Sequence, residues 1–176
     1  MIVLRSLLLL ATLLLLPHLS WGEALDDFRR ALSELQVGKR FTPRDYLHCT
    51  GGEEACNRME GGLGTVQIEI ELLEGIISNL LIVAEEVKID QELLPILQGL
   101  YGTGEKKLEG IREERNRPEL ALTIAAARYA SYEWRRKGAR IILFCQDPFR
   151  VIHDDGREEV TEPMKTYVSG DLVPPR

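Results

Sequence analysis

The feature that most constrains the fold is a long stretch of regularly spaced apolar residues in the first half of the chain. Between residues 63 and 84 the apolar positions follow one helical stripe, formed by Leu63, Val66, Ile70, Leu73, Ile77, Leu80 and Ala84. Residues 65–72 also alternate between apolar and polar types, which is typical of a strand, so this part stays open between helix and strand. The length of the stripe, with no turn signal inside it, favours a helix over residues 65–86.

Helical signals continue through most of the chain. Thr42 can cap a helix and Pro43 suits a first helical position, which predicts a short helix leading to Cys49. Pro95 is expected to kink another helix. The segments with helical signals are 24–36, 42–48, a helix from about 53, 91–101, the charged segment 105–117 and the alanine-rich segment 118–137.

The C-terminal part of the chain changes character. Residues 140–145 form an apolar run typical of a buried strand, and residues 149–153 and 157–161 are predicted strands joined by a hairpin turn at Asp154-Asp155-Gly156. Three prolines argue for a loose tail over residues 162–176. The predicted fold class is therefore mainly α: one small helical domain over residues 23–161 with a short C-terminal β-hairpin.

The first twenty-two residues form a secretory signal peptide pattern. Arg5 precedes an apolar run too short to span a bilayer, and small residues follow it at Ser20 and Gly22, which predicts cleavage before Glu23. The protein is therefore predicted to be periplasmic, and no second run of membrane length follows.

The net charge indicates which class of partner the protein can bind. Residues 23–176 contain 21 basic and 28 acidic residues, a formal charge of −7. An acidic chain is a poor match for nucleic acid or for an anionic membrane surface and a better match for a basic protein. We expect a protein partner and no nucleic acid, and association of the chain with itself stays open.

Three cysteines follow the signal peptide. In an oxidising compartment Cys49 and Cys56 are the obvious disulfide pair, because Gly51 and Gly52 permit the tight loop between them. Cys145 is then a small buried hydrophobic residue or pairs with another chain, and its pairing with Cys49 or Cys56 also stays open.

No catalytic or metal-binding motif is complete. His48 or His153 could serve a thiol nucleophile, but disulfide formation competes for Cys49 in this compartment. The spacing of Cys49 and Cys56 is wider than in zinc knuckles. Three aromatic side chains in the predicted helix 118–137 offer a binding surface or core packing: Tyr129, Tyr132 and Trp134. We predict no enzyme activity, no cofactor and no metal.

A resemblance bears on function. The segment Thr42-Pro-Arg-Asp-Tyr-Leu-His-Cys49, followed by Cys56, Met59 and Gly62, resembles the opening of the type VI secretion amidase immunity (Tai-like) family. Arg117-Pro118-Glu119 before an alanine-rich helix, with Phe144-Cys145 beyond it, is similar to that family's closing part. The resemblance implies a small helical periplasmic protein that blocks the active site of a secreted peptidoglycan amidase.

The sequence therefore predicts a non-catalytic periplasmic binding protein, with an immunity-type inhibitor of a secreted cell-wall hydrolase as the specific hypothesis. The alternative is a structural or accessory protein of an envelope assembly. The only site residues predicted are the disulfide pair, Cys49 and Cys56.

Overall fold

The computed structural model describes residues 22–50, 56–85, 87–115, 122–136, 138–153 and 155–173. In this part of the chain two helices accompany one antiparallel sheet. The helices are α1 (22–34) and α2 (Asp90–Tyr101). The strands are β1 (Leu47–Cys49), β2 (Arg58–Leu63), β3 (Val66–Leu73), β4 (Ile76–Glu85), β5 (Glu105–Arg115), β6 (Leu122–Arg136), β7 (Ala139–Gln146), β8 (Phe149–His153), β9 (Glu158–Glu162) and β10 (Lys165–Leu172).

The sheet order is β1-β2-β3-β4-β10-β7-β6, and β5 pairs with β6. β8 also pairs with β6, and β9 pairs with β8. β7 and β8 both pair with β6, one along each half of it, and the Asp147 N–H between them still donates to the Arg128 carbonyl. β7 and β8 therefore act as one bulged strand. β9 and β10 together form the next strand position, because β10 pairs with β7 and β9 pairs with β8. Each helix is thus followed by four strand positions: β1 to β4 after α1, and β5, β6, β7–β8 and β9–β10 after α2. These two αββββ units join where β4 pairs with β10.

The mainly α, all-helical prediction is wrong, and the helical stripe of residues 63–84 shows why. In β3 buried and exposed residues alternate strictly from Val66 to Glu71, which is the period of a strand. Glu74 and Gly75 interrupt the stripe with φ angles of 53° and 76°. Positive φ at both central residues is what a tight hairpin turn needs, so the chain reverses in the middle of the predicted helix.

The two segments after α2 were also predicted as helices and are strands instead. β5 and β6 form the longest hairpin of the sheet. In β6 the side chains Ser131 and Trp134 are buried and Arg135 and Arg136 are exposed. The alanines of β6 favour a helix, but its β-branched and aromatic residues fit a pleated surface, and pairing on both edges decides the outcome.

A strand lies within the segment that was predicted to be a loose tail. Residues 162–176 were predicted to be a loose tail, yet Lys165–Leu172 is β10, which pairs with β4 on one side and β7 on the other. Residues 45–46 form a turn in place of the short helix predicted there. The predicted signal peptide, apart from Gly22, and the loop at Gly51-Gly52 lie outside the described residues.

Other elements follow the sequence closely. α1 covers most of the predicted helix 24–36, and α2 carries Pro95 within the predicted segment. β7, β8 and β9 lie where the C-terminal strands were predicted. These segments have either a strong amphipathic pattern or an apolar run bounded by turn residues.

Both helices pack on one face of the sheet and enclose the core there. Phe28 of α1 and Leu97 of α2 are fully buried in one cluster with Ile82, Leu143 and Val168, which lie side by side on β4, β7 and β10. Trp134 closes this core, and its Nε1 donates to the Gly102 carbonyl at 2.9 Å. The opposite face of the sheet has neither α1 nor α2 over it, and we call it the helix-free face.

Candidate protein-binding surface

The centre of the helix-free face carries a row of aromatic side chains. Phe144 on β7 lies directly opposite Tyr167 on β10, and their ring centroids are 4.9 Å apart with nearly parallel planes. Tyr129 on β6 stacks on the other side of Phe144 at 6.2 Å. We call Tyr129, Phe144 and Tyr167 the aromatic row; it crosses three adjacent strands because strand pairing places residues distant in sequence side by side.

Aliphatic side chains extend the row into a patch. Val83 pairs with Tyr167. Two residues further along β10, Ser169 pairs with Leu81 of β4 on one side and with Ile142 of β7 on the other. All of these residues are partly exposed. In a sheet covered by helices on one face only, the other face is usually polar, so a contiguous apolar and aromatic patch there indicates an interaction surface. Aromatic residues are the type enriched at protein interfaces.

The electrostatics of Tyr167 agree with a partly dehydrated surface. Burial raises the pKa of the Tyr167 phenol above its ordinary value of 10.0. The flat, crowded arrangement of the three rings removes water from between them while their outer faces stay accessible.

A cluster of charged residues borders the patch on β2 and β3. Glu60 and Glu69 lie directly opposite each other, a like-charge pair that destabilises a sheet unless a cation separates them. Arg58 supplies that cation, with its guanidinium 3.2 Å from the Glu60 carboxylate and 3.1 Å from the Glu69 carboxylate. Glu71, which lies opposite Arg58 in register, adds a further negative charge.

A small cavity connects this cluster to the patch. It has a volume of about 190 Å³ and is lined by Arg58, Glu69, Ile70, Glu71, Asn79, Leu81 and Ser169. Leu81 and Ser169 are paired residues of the patch itself. The cavity and the aromatic row therefore belong to one surface.

A larger cavity, of about 590 Å³, lies on the helix side of the sheet near the start of α2. Two ion pairs lie along its lining. Lys88 and Asp147 approach to 2.6 Å, and Lys106 and Glu109 to 2.5 Å. The bond to Asp147 raises the pKa of Lys88. The first pair ties the start of α2 to the chain between β7 and β8, and the second lies within β5; Asp90 and Arg128 also line the cavity.

The disulfide predicted from the sequence is present in the structure. Cys49 and Cys56 are bonded, with their Cα atoms 5.7 Å apart. Cys49 ends the edge strand β1 and lies opposite Met59 of β2. The bond therefore ties the edge of the sheet to its neighbour, at the opposite end of the sheet order from β5.

The groups considered for catalysis are not brought together. Cys145 is 3% exposed, its thiol lies 3.6 Å from the Thr166 hydroxyl, and burial raises its pKa to about 11, which favours the protonated thiol. His153 contacts the Glu159 carboxylate at 3.1 Å, and His48 is on β1 beside the disulfide. Among the described residues no three histidine, cysteine or acidic side chains are grouped as metal ligands.

The three aromatic residues singled out in the sequence separate in the structure. Tyr129 belongs to the aromatic row, whereas Trp134 and Tyr132 pair with Ile141 and Leu143 on the helix side. Phe144 and Tyr167 were missed. The apolar run of residues 141–145 does not alternate in the sequence, so no local signal placed Phe144 on the second face; the alternation of buried and partly exposed residues along β7 and β10 is seen only in the structure.

Within the described residues, no helix has the length and apolar character needed to cross a membrane. No protein-family model, curated protein or solved structure matches the chain. The fold and the surface together define a two-layer α+β domain with one helix-covered face and one apolar, aromatic face.

Proposed function

We propose that this protein is a secreted, non-catalytic binding protein that holds a basic partner protein on its helix-free face. The observation that carries the proposal is the aromatic row, Tyr129, Phe144 and Tyr167, standing on the one face of the sheet that neither helix covers. Stacked aromatic side chains offer a rigid contact area that loses little conformational entropy on binding.

Charge favours a basic partner over a second copy of the chain. The protein has a formal charge of −6, and the border of the patch on β2 and β3 is acidic. Two copies repel each other at long range, whereas a basic protein is attracted and steered. The non-catalytic part is supported by Cys49 being held in a disulfide and Cys145 being buried.

Secretion to the periplasm is part of the proposal and rests on the signal peptide pattern of residues 1–22. Inhibition of a secreted cell-wall hydrolase is the specific role within it. That role rests on the resemblance of residues 42–62 to the amidase immunity family; the helical fold that the resemblance implies is not the fold of this chain.

The test is partner capture with variants of the surface. The purified protein is used to capture partners from envelope and secreted fractions, and the binding of each stoichiometric partner is then measured with wild type, Tyr129→Ala and Tyr167→Ala. Leu73→Ala is the control, because Leu73 is 61% exposed on the β3–β4 hairpin away from the patch.

The proposal predicts a basic partner whose affinity falls about tenfold or more with either tyrosine variant and stays unchanged with the control. Circular dichroism of each variant excludes unfolding as the cause. Loss of hydrolase activity on addition of the protein supports the inhibitor role. A partner that binds all variants equally contradicts the proposed surface.

A further inference from the structure

The cavity beside the aromatic row has the size of a single amino-acid side chain. Its volume of about 190 Å³ is too small for a cofactor or a drug-sized ligand. Leu81 forms an apolar part of its lining, Glu69, Glu71, Asn79 and Ser169 supply hydrogen-bond acceptors, and Arg58 lines it at the Glu69 carboxylate. A side chain that fills it needs an apolar stem and a polar, donor-rich end.

Several of these polar groups have bonding capacity to spare. Within the described chain the Glu71 carboxylate, the Asn79 amide and the Ser169 hydroxyl make no side-chain hydrogen bond or ion pair, whereas Glu69 is shared with Arg58. A carboxylate is only an acceptor, and the amide and the hydroxyl can both accept. Because Arg58 is shared between Glu60 and Glu69, the lining keeps a negative charge in excess, and the cavity presents three acceptors that include Glu71.

We infer that this cavity receives an arginine or lysine side chain from the partner protein. Leu81 packs against the methylene stem, while the guanidinium or ammonium donates to Glu71, Asn79 and Ser169. The planar guanidinium has five N–H donors, so arginine satisfies this set more fully than lysine. This inference rests on the proposed function, because it names the chemistry of the partner at the same surface.

The like-charge pair at the border agrees with this assignment. Arg58 separates Glu60 from Glu69 but balances only one charge of the cluster, which keeps a net negative charge because Glu71 belongs to it as well. A cation entering beside Glu71 reduces this net negative charge. The aromatic row and the cavity then act together, as an apolar anchor beside a charged one.

The cavity can be tested without the partner. The probe is N-acetyl-L-arginine amide, and N-acetyl-L-citrulline amide is the control probe, because it has almost the same shape and no charge. Both are titrated into the purified protein while backbone amide chemical shifts are followed by nuclear magnetic resonance. A single side chain is expected to bind on the order of millimolar.

The inference predicts shifts with the arginine probe centred on Glu71, Asn79, Leu81 and Ser169, weaker by about fivefold or more with citrulline and with Glu71→Gln. Glu92→Gln, which removes a charge from the exposed side of α2, leaves the titration unchanged. Shifts that are absent, or spread equally over other acidic sites, overturn it.

The two proposals fail separately. If the arginine probe does not bind but a captured partner depends on Tyr129 and Tyr167, the cavity assignment is wrong and the proposed function stands. If the probe binds and no partner depends on the aromatic row, the cation site stands and the proposed function fails.

Discussion

Asp27 of α1 accepts two hydrogen bonds from Thr65, the residue that turns β2 into β3. The Asp27 carboxylate lies 2.8 Å from the Thr65 amide nitrogen and 3.1 Å from its hydroxyl. Gly64, at φ +58°, lies so close that a Cβ there would approach the same carboxylate oxygen to 2.2 Å. This contact fixes the position of the first helix over the hairpin that carries the acidic border.

Removing this carboxylate is expected to destabilise the fold. Asp27→Ala removes two hydrogen bonds to an exposed residue, which water replaces in part, and should lower the free energy of unfolding by about 1 kcal/mol. Asp26→Ala is the matched control, since Asp26 is exposed on the same helix, where it pairs with Arg29. Urea denaturation measures both. Equal effects of the two substitutions argue against the contact.

The hairpin between β3 and β4 gives a direct test of the β architecture. Glu74 has a positive φ of 53°, which asparagine adopts more readily than glutamate. Glu74→Asn should therefore raise the free energy of unfolding by about 0.5 kcal/mol. In a continuous helix over residues 65–86 the same Asn-Gly pair destabilises, so a lower thermal midpoint contradicts the hairpin.

Glu34 should make the free energy of unfolding depend on pH in the acidic range. Its pKa is held below the ordinary 4.5 chiefly by the hydrogen bond from the Tyr46 hydroxyl at 2.8 Å, with Arg30 and Arg44 contributing, and its side chain is 24% exposed. Because the folded-state pKa is the lower one, its contribution is present above pH 4.5 and is lost as the pH falls through the folded value. Glu34→Gln and Tyr46→Phe should both flatten this decline in urea midpoints. If the urea midpoint falls with pH equally steeply in wild type and in both variants, Glu34 is not the group responsible.

The three cysteines should differ in reactivity. The native protein should react slowly with iodoacetamide, because Cys145 is 3% exposed with a pKa of about 11, and the other two are bonded. Mass spectrometry should show one modified thiol in denaturant without reductant, and three after reduction. Three modified thiols before reduction show that the disulfide is absent.

The sequence predicts those parts of the fold that depend on local pattern. α2 and β7–β9 follow from periodicity and turn residues. The hairpin at Glu74-Gly75 was within reach, because a glycine follows an alternating run there, but a helical stripe of equal regularity competed with it. Local pattern cannot choose between these, since pairing with β10 and β2 is what stabilises the strands.

The candidate surface depends on register and lies beyond the reach of local pattern. Val83, Phe144 and Tyr167 are neighbours only because β4, β10 and β7 pair in one particular register. A slip by one residue would move every one of these side chains to the other face. The cavity beside Leu81 and Ser169 has the same origin, so one sequence alone predicts neither.

The most direct measurement is hydroxyl-radical footprinting of the protein alone and in complex with its captured partner. We expect the oxidation of Tyr129, Phe144 and Tyr167 to fall on binding, while that of Leu73, at the far end of the β3–β4 hairpin, stays the same. Unchanged oxidation of the aromatic row, with protection at the exposed Leu108 and Ile111 of β5 instead, would place the partner on the sheet edge and contradict the central claim.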